Sequence, residues 1–420
     1  MTAESSGSQW KRTRLVSLCS AHVDCVNRTA PLAEHPTAYK MLRTTNVRNG
    51  SIDTENVRYV SEETFKRWTR RLTPLYGDVV LTREAPLGEV GMIRTHEPVF
   101  LGQRLYHFRA DPQRLDGRFL LYALLGPDLQ SQIRSFGSGS TVEHMRLEDI
   151  ELLEICVPDL AAQRDIAELL GAYDDLIENN LRRIRILEDM ARAIYREWFV
   201  HFRFPGHEGV AMVESELGLV PDGWASRVAK IATLLRDTIA PANFPDEEFE
   251  HFSIPAFDAS CRPSVELGAS ILSNKYLVAE RAVLVSKLNP RIPRVWLAQP
   301  SGSLRPIAST EFLVLAPRRP EFRSLLYSAL TAEETRGKLA GLAVGTSTSH
   351  QRVKAEDMLG LPIVRPSLSV LREFDRIVSP MLLLASTLRD ENANLRTTRD
   401  LLLPRLMSGQ LTLAEAEAAV

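Results

Sequence analysis

Two stretches of the chain follow one plan. "GSGSTVEHMRLEDI" (Gly137 to Ile150) and "GTSTSHQRVKAEDM" (Gly345 to Met358) both open on small residues, carry a basic position, reach Glu-Asp plus an apolar residue, and continue to a proline. The offset is 208 residues from Gly137 to Gly345, from Asp149 to Asp357 and from Pro158 to Pro366. An internal repeat of this length constrains the fold more than any other feature, because one plan must serve both copies. The copies extend upstream: "FLLYALL" (Phe119 to Leu125) is echoed by "SLLYSAL" (Ser324 to Leu330). More loosely, "GDVVLTREAPLGEVGMI" (Gly77 to Ile93) is echoed by "RAVLVSKLNPRIPRVWLA" (Arg281 to Ala298). Each of this last pair reads as a strand, a polar loop with basic residues and proline, and another strand. The expectation is an α+β chain built as two mixed α/β domains, each followed by a helical segment, with an internal pseudo-two-fold repeat.

The helical segments have a sharp period. Ile166, Leu170, Tyr173, Ile177, Asn180, Ile184, Leu187, Ala191, Ile194 and Trp198 alternate spacings of four and three without a break. Adding 208 gives Phe374, Val378, Met381, Ala385, Leu388, Asn392, Leu395, Arg399, Leu402 and Leu406. Heptads sustained over this length predict a coiled-coil seam rather than a simple amphipathic surface helix. Ser379-Pro380 reads as an N-cap and first helical position, so the second long helix is expected to start there and the first near Ala172. Two copies separated by a whole domain most simply pack antiparallel. One register sets Asn180 opposite Asn392 and Tyr173 opposite Arg399; a shift of one heptad sets Asn180 opposite Arg399, and the sequence leaves both open. Roughly 28 residues at about 1.5 Å each form a rod of about 40 Å, or roughly 12 base pairs of duplex.

Such a rod suits two non-identical heads reading an asymmetric, split DNA site, and both heads carry loops with suitable side chains. "FKRWTRRL" sets Lys66, Arg67, Arg70 and Arg71 around Trp68; "MLRTTNVRNG" offers Arg43, Thr45 and Asn46; "LTREAP" offers Thr82 and Arg83. Ser140 and Thr141 lie in the small-residue stretch. In the second head "SKLNPRIPR" offers Lys287, Asn289, Arg291 and Arg294, and "HQRVK" adds His350, Gln351 and Arg352. Arginine binds guanine and asparagine binds adenine through paired hydrogen bonds, while the remaining cations hold phosphates.

Composition sets the bounds. The chain has 420 residues, 44% hydrophobic and 25% charged, with a formal net charge of −2, so nothing global marks a polyelectrolyte coat for nucleic acid. No apolar run approaches membrane-spanning length and no signal peptide opens the chain, and the four scattered cysteines form no C-x-x-C. A cytoplasmic protein is expected.

Together with this architecture, "TTNVRNGSIDTENVRYVSEE", "GDVVLTREAPLGEVGMI" and the closing "LRTTRDLLLPRLMSGQL" resemble the specificity subunit of type I restriction–modification enzymes. "VPDLAAQRDIAELL" and "ESELGLVPDGWASR" are similar to that family's transitions, leaving one helix and entering the second recognition domain. The resemblance covers essentially the whole chain. It implies target recognition domains over residues 1–160 and 205–366, and helical spacers over 161–204 (a short connector helix, then a long one) and 367–420. It also implies double-stranded DNA, two methyltransferase (modification) subunits and restriction/translocase subunits as partners. S-adenosylmethionine, ATP and Mg²⁺ would then be used by those partners, with no cofactor in this chain. Two departures stand out: the Ala-rich end "LAEAEAAV", and a second connector "SLSVLREFDRIV" without the Gln163-Arg164 pair of the first.

An enzymatic reading finds little support. No Glu-x-Lys or Asp-x-Lys of a metal-dependent nuclease occurs, and no phosphate-binding G-x-x-x-x-G-K or G-x-S-x-G elbow. "LNPRIP" only faintly resembles an amino-methyltransferase motif, since Arg291 stands where its second proline belongs. The nine histidines do not fall at metal-ligand spacing. The chain is therefore expected to be a non-catalytic recognition subunit. The alternative is a coiled-coil scaffold whose two heads bind proteins.

Overall fold

The computed structural model describes residues 10–137, 143–343, 351–413 and 415. They form two compact units: one takes the chain up to Ile177 together with the stretch from Asn394 onward, and the other is Glu178–Ala393. The chain thus divides within its helical segments, between Ile177 and Glu178 and between Ala393 and Asn394.

Each unit contains the same three β-assemblies. In the first, a four-stranded antiparallel sheet uses Cys19–Asp24, Val79–Arg83, Leu87–Met92 and Leu105–Ala110 in the spatial order first, fourth, second, third. In the second, Ala232–Leu235, Val283–Ser286, Val295–Leu297 and Phe312–Pro317 take that order again. A second sheet, three-stranded in the first unit and five-stranded in the second, carries one parallel pair, Tyr39–Leu42 with Val99–Leu101 and Glu248–Phe252 with Arg305–Ala308. A closing antiparallel pair joins Lys11–Arg14 to Glu154–Val157 and Ala225–Arg227 to Pro362–Val364.

The central strands read as unbroken apolar runs because both faces are covered. Alternation sends successive side chains to opposite faces. Val79 and Leu81 join the core built with Phe119, Leu120 and Leu124, while Val80 joins a separate cluster with Leu42, Val47 and Val99. The second unit repeats this, Val283 and Val285 facing the helices and Leu284 facing Phe252 and Trp296. The helix Gly117–Leu125 starts where the Asp116 carboxylate accepts the N–H groups of Arg118 and Phe119, the usual remedy for unpaired donors at a helix start.

The long helices differ from expectation at their starts. The first runs unbroken over Leu160–Phe199, with no separate connector helix and no start near Ala172, and the second runs over Leu368–Met407, straight through Ser379-Pro380. Proline inside a helix removes one hydrogen bond and costs about 3 kcal/mol. Burial on both sides of it offsets that cost, since Phe374, Val378, Leu382 and Ala385 are all at or below 5% exposure. The first helix begins instead at Asp159, whose carboxylate accepts the N–H of Ala162.

Along the heptad positions, Tyr173, Ile177, Asn180 and Ile184 are buried on the first helix and Leu388, Asn392 and Leu402 on the second. Leu187, Ile194, Met381, Leu395 and Arg399 are half-buried, and Leu382 takes the buried place expected for Met381. Within the first unit Arg399 pairs with Asp174. Within the second, Ile184 packs with Ala385 and Leu388, and Arg389 pairs with Glu188. No described helix is long and apolar enough to cross a membrane.

Candidate nucleic-acid interface

In each unit the fold brings together two stretches that are far apart in sequence. The tip of the central hairpin meets the segment that follows the small-residue stretch. In the first unit the Met145 N–H donates to the Arg83 carbonyl at 2.9 Å, the Arg83 guanidinium donates to the Met145 carbonyl at 3.0 Å, and Glu84 bridges His144. In the second the Val353 N–H donates to the Lys287 carbonyl at 3.0 Å, the Asn289 N–H to the Gln351 carbonyl at 2.9 Å, and Leu288 bridges Arg352. Lys287, Asn289, Gln351 and Arg352 therefore share one surface. Ser140, Thr141, His350 and most of the repeated small-residue stretch lie outside the described residues.

The two tips share a backbone device. Ala85 (φ 53°) precedes Pro86 and Asn289 (φ 54°) precedes Pro290. A left-handed residue before a proline turns the chain sharply, and asparagine accepts that conformation more readily than alanine.

The second unit adds a groove beside its tip, lined by Arg236, Tyr276, Lys287, Arg352, Lys354 and Glu356 among others. Arg352 makes a paired contact with Glu311 at 3.0 and 3.0 Å, and the hydrogen bond holds its guanidinium firmly charged. Arg236 meets Glu356 at 3.3 Å, and the Glu356 carboxyl is held below its usual range, first by its own backbone N–H and then by Arg236. Among the described residues neither Lys287 nor Lys354 makes an ion pair within 4.0 Å, though Lys354 also helps to hold the Glu356 carboxyl down. The net effect is a concave surface with a surplus of positive charge, which concentrates anions.

The basic run of the first unit sits elsewhere. Lys66 and Arg67 are on the helix Glu62–Trp68, which Phe65 and Trp68 seat on the smaller sheet against Met41, Val60 and Phe100. Lys66 is paired with Glu62 at 2.7 Å and Arg71 with Asp24 at 2.6 Å. Arg67 lies 5.8 Å from the centre of the Trp68 ring, and neither it nor the exposed Arg70 has a carboxylate partner among the described residues. Thr45 is exposed, and Arg43 donates to the Asn56 carbonyl.

Residues 8–188 match the family model described as Type I restriction modification DNA specificity domain. The type I restriction enzyme MjaIX specificity subunit of Methanocaldococcus jannaschii is 24% identical over 369 residues, spanning 85% of this chain and 83% of that protein. The HindI specificity subunit of Haemophilus influenzae is 22% identical over 344 residues, 64% of this chain and 72% of that one. Residues 8–188 thus resemble a type I DNA specificity domain, and the chain is similar to type I specificity subunits over most of its length. In fold it is similar to the crystal structure of a type I restriction–modification S subunit from M. genitalium, with a TM-score of 0.61 at 15% identity over 96% of this chain and 98% of that one.

Three of the expected contact residues are turned into the fold. Asn46 is 4% exposed, accepting the Arg43 N–H and donating to the Asn56 carbonyl, so it holds its own loop together. Thr82 is fully buried, donating to the Pro86 carbonyl and accepting the Glu89 N–H, which braces the hairpin tip from within. Arg294 has a side chain only 10% exposed, paired with Asp258 at 2.7 and 2.8 Å. Side-chain type alone made these look like contacts; burial and internal partners make them supports. The sequence reading also missed Arg236 and Tyr276, each on or just past a strand that pattern alone does not connect to the hairpin tip.

Proposed function

We propose that this chain is the specificity subunit that reads a bipartite, asymmetric DNA target, with the recognition head of one unit on each half-site, and that it docks two methyltransferase subunits. Restriction/translocase subunits join them in the full complex. The observation that carries this reading is the tip-and-segment surface occurring in both units with one matching backbone hydrogen bond and one matching bridge but different side chains: Arg83 and Glu84 in one, Lys287, Asn289, Gln351 and Arg352 in the other. One scaffold presenting two chemistries suits two different half-sites. The unpaired Lys287, Lys354, Arg67 and Arg70 supply phosphate contacts, and tip residues such as Asn289 and Arg291 supply base-edge contacts.

The long helices act as the spacer, an antiparallel coiled coil under a pseudo-two-fold repeat. Supporting this, contacts within the second unit pair rising numbers on one helix with falling numbers on the other: Ile184 with Leu388, Tyr195 with Phe374. These favour the register with Asn180 opposite Asn392, where buried polar side chains specify alignment. Methyl transfer and any cleavage belong to partner subunits with S-adenosylmethionine, ATP and Mg²⁺.

The test is single-molecule methylation sequencing of a host carrying this chain with a partner methyltransferase subunit. The expected outcome is a new split, asymmetric methylation motif that disappears when this chain is omitted. A soluble, associated pair that methylates no new motif would sink the reading and favour a protein-binding scaffold.

A further inference from the structure

Within the first unit, one aspartate gathers side chains from three parts of the fold. Asp174, on the first long helix, has a side chain only 11% exposed. Its Oδ2 accepts a 2.7 Å hydrogen bond from the Tyr122 hydroxyl, which belongs to the helix Gly117–Leu125 of the head. Its Oδ1 accepts from Arg399 of the second long helix. Arg94, two residues past the hairpin strand Leu87–Met92, brings its guanidinium to 3.7 Å. The adjacent Asp175 accepts from Arg118 at 3.0 and 3.2 Å and meets Arg94 at 3.5 Å.

A glycine makes room for this cluster. A Cβ at Gly171, one turn before Asp175, would lie 2.4 Å from Nη1 of Arg118. Glycine inside a helix is unfavourable, by roughly 1 kcal/mol relative to alanine, so its presence here fits a need for close approach. Both long helices, the head helix and the end of the central hairpin thus meet at one half-buried polar point.

The surrounding contacts are apolar and non-directional. Ile166, Leu170, Tyr173, Leu402 and Leu406 belong to the core that also holds Phe119, Leu120 and Leu121. Apolar packing resists separation but tolerates small rotations better than aligned, charge-assisted hydrogen bonds do. Buried charged networks are weak sources of net stability, and their best-attested use is to fix one geometry among close alternatives.

We propose that Asp174, Tyr122 and Arg399 are positioning residues that fix the pitch of the first recognition head on the paired helices, and through it the gap length at which the first half-site is accepted. The inference rests on the bipartite reading above. It assigns gap selectivity to a side-chain network as well as to helix length.

The experiment uses the full chain in complex with its methyltransferase subunit. Substrates carry the two half-sites found by sequencing, with the native gap or a gap one base pair longer or shorter. The quantity read is the methylation rate on altered-gap DNA divided by that on native-gap DNA, with competition binding giving the same ratio independently. Tyr122→Phe and Asp174→Asn are expected to raise that ratio at least tenfold while the bases required within each half-site stay the same. A ratio within twofold of the parent's in the folded variants, whatever their melting temperature, overturns the proposal and leaves the network a purely structural one. Tyr122→Phe removes a single hydroxyl and carries the test alone if Asp174→Asn does not fold. A parent complex with no split motif is a different failure, that of the bipartite reading itself, and the inference falls with it.

Discussion

The two units share strand order and differ at their edges. The first hairpin turns through Glu84, Ala85 and Pro86, whereas the second has a longer tip from Lys287 to Arg294 that holds Arg291 and Ile292 out in solvent. Where the head meets the helices, the first unit uses the Asp174 network in addition to apolar packing, and the second uses a dense aromatic cluster. Between the two long helices Phe374 lies with ring centres 4.8 Å from Phe199, 6.0 Å from Trp198 and 6.4 Å from Tyr195, and Phe199 lies 6.1 Å from Trp224 of the head. The comparison teaches where the fold tolerates change. Positions that must be apolar to cover both faces of the central sheet coincide in the two units, whereas solvent-facing tips and junctions diverge.

The largest effect expected from this contrast is at the aromatic junction. Phe374 is fully buried, so Phe374→Ala leaves a cavity among three rings and should cost about 3–5 kcal/mol. Hydrogen exchange is the measurement that separates the units. Amides of Val283–Ser286 and Phe312–Pro317 should lose protection while those of Val79–Arg83 and Leu105–Ala110 keep theirs. Equal loss in both sheets would abolish the contrast between two separately packed units.

A smaller effect sharpens the contrast in charge. Each phosphate contact removed should lower the slope of log affinity against log salt by about 0.9. Replacing Lys287 and Lys354 together by alanine should therefore lower it by about 1.8, weakening non-specific and specific binding alike. Arg67 and Arg70 replaced together should do the same in the first unit. Arg294→Ala should leave the slope unchanged, because Asp258 already neutralises that guanidinium within the fold. A slope that responds to Arg294 and not to Lys287 and Lys354 would show that the wrong face of the second unit has been assigned to DNA.

These cases show what was legible in the sequence. The mixed helix-and-sheet character, with its hairpins and long helices, was, because alternation and period report directly which side chains must be buried. The helix starts were misplaced because Ser379-Pro380 is a strong local start signal, overridden by a buried stripe on both sides; the signal at Asp159, an acidic residue after Pro158, was present and weaker. Candidate contacts were legible as loops but not as side chains. Asn46 and Thr82 have the right chemistry for bases and spend it on their own backbone. No pattern of residue types reveals that Arg352 faces Glu311, 41 positions away, or that Arg236 lines the same groove.

The smallest effect separates two buried carboxylates, one from each unit, by the sign of their response to pH. Asp78 in the first unit is 3% exposed; burial works to raise its pKa, but hydrogen bonds from Arg109 and His107 outweigh it and hold the carboxyl below its usual range. Its contribution to stability is present above the ordinary carboxylate value and is lost as pH falls through the lower folded value. Glu250 in the second unit is 6% exposed, with the Ser301 N–H and hydroxyl as hydrogen-bond donors, and burial wins: its carboxyl is pushed above the usual range. The folded state then binds this proton more tightly than the unfolded chain does, so Glu250 favours folding below the ordinary glutamate value and opposes it as pH rises through the raised one. Glu250→Gln keeps an oxygen for the Ser301 N–H and removes the charge. Its melting temperature should exceed the parent's at pH 8, with the difference shrinking toward zero near pH 4. A variant less stable than the parent at pH 8 would mean that the Ser301 hydrogen bonds, not burial, decide the charge state, and the two units would then treat their buried carboxylates alike.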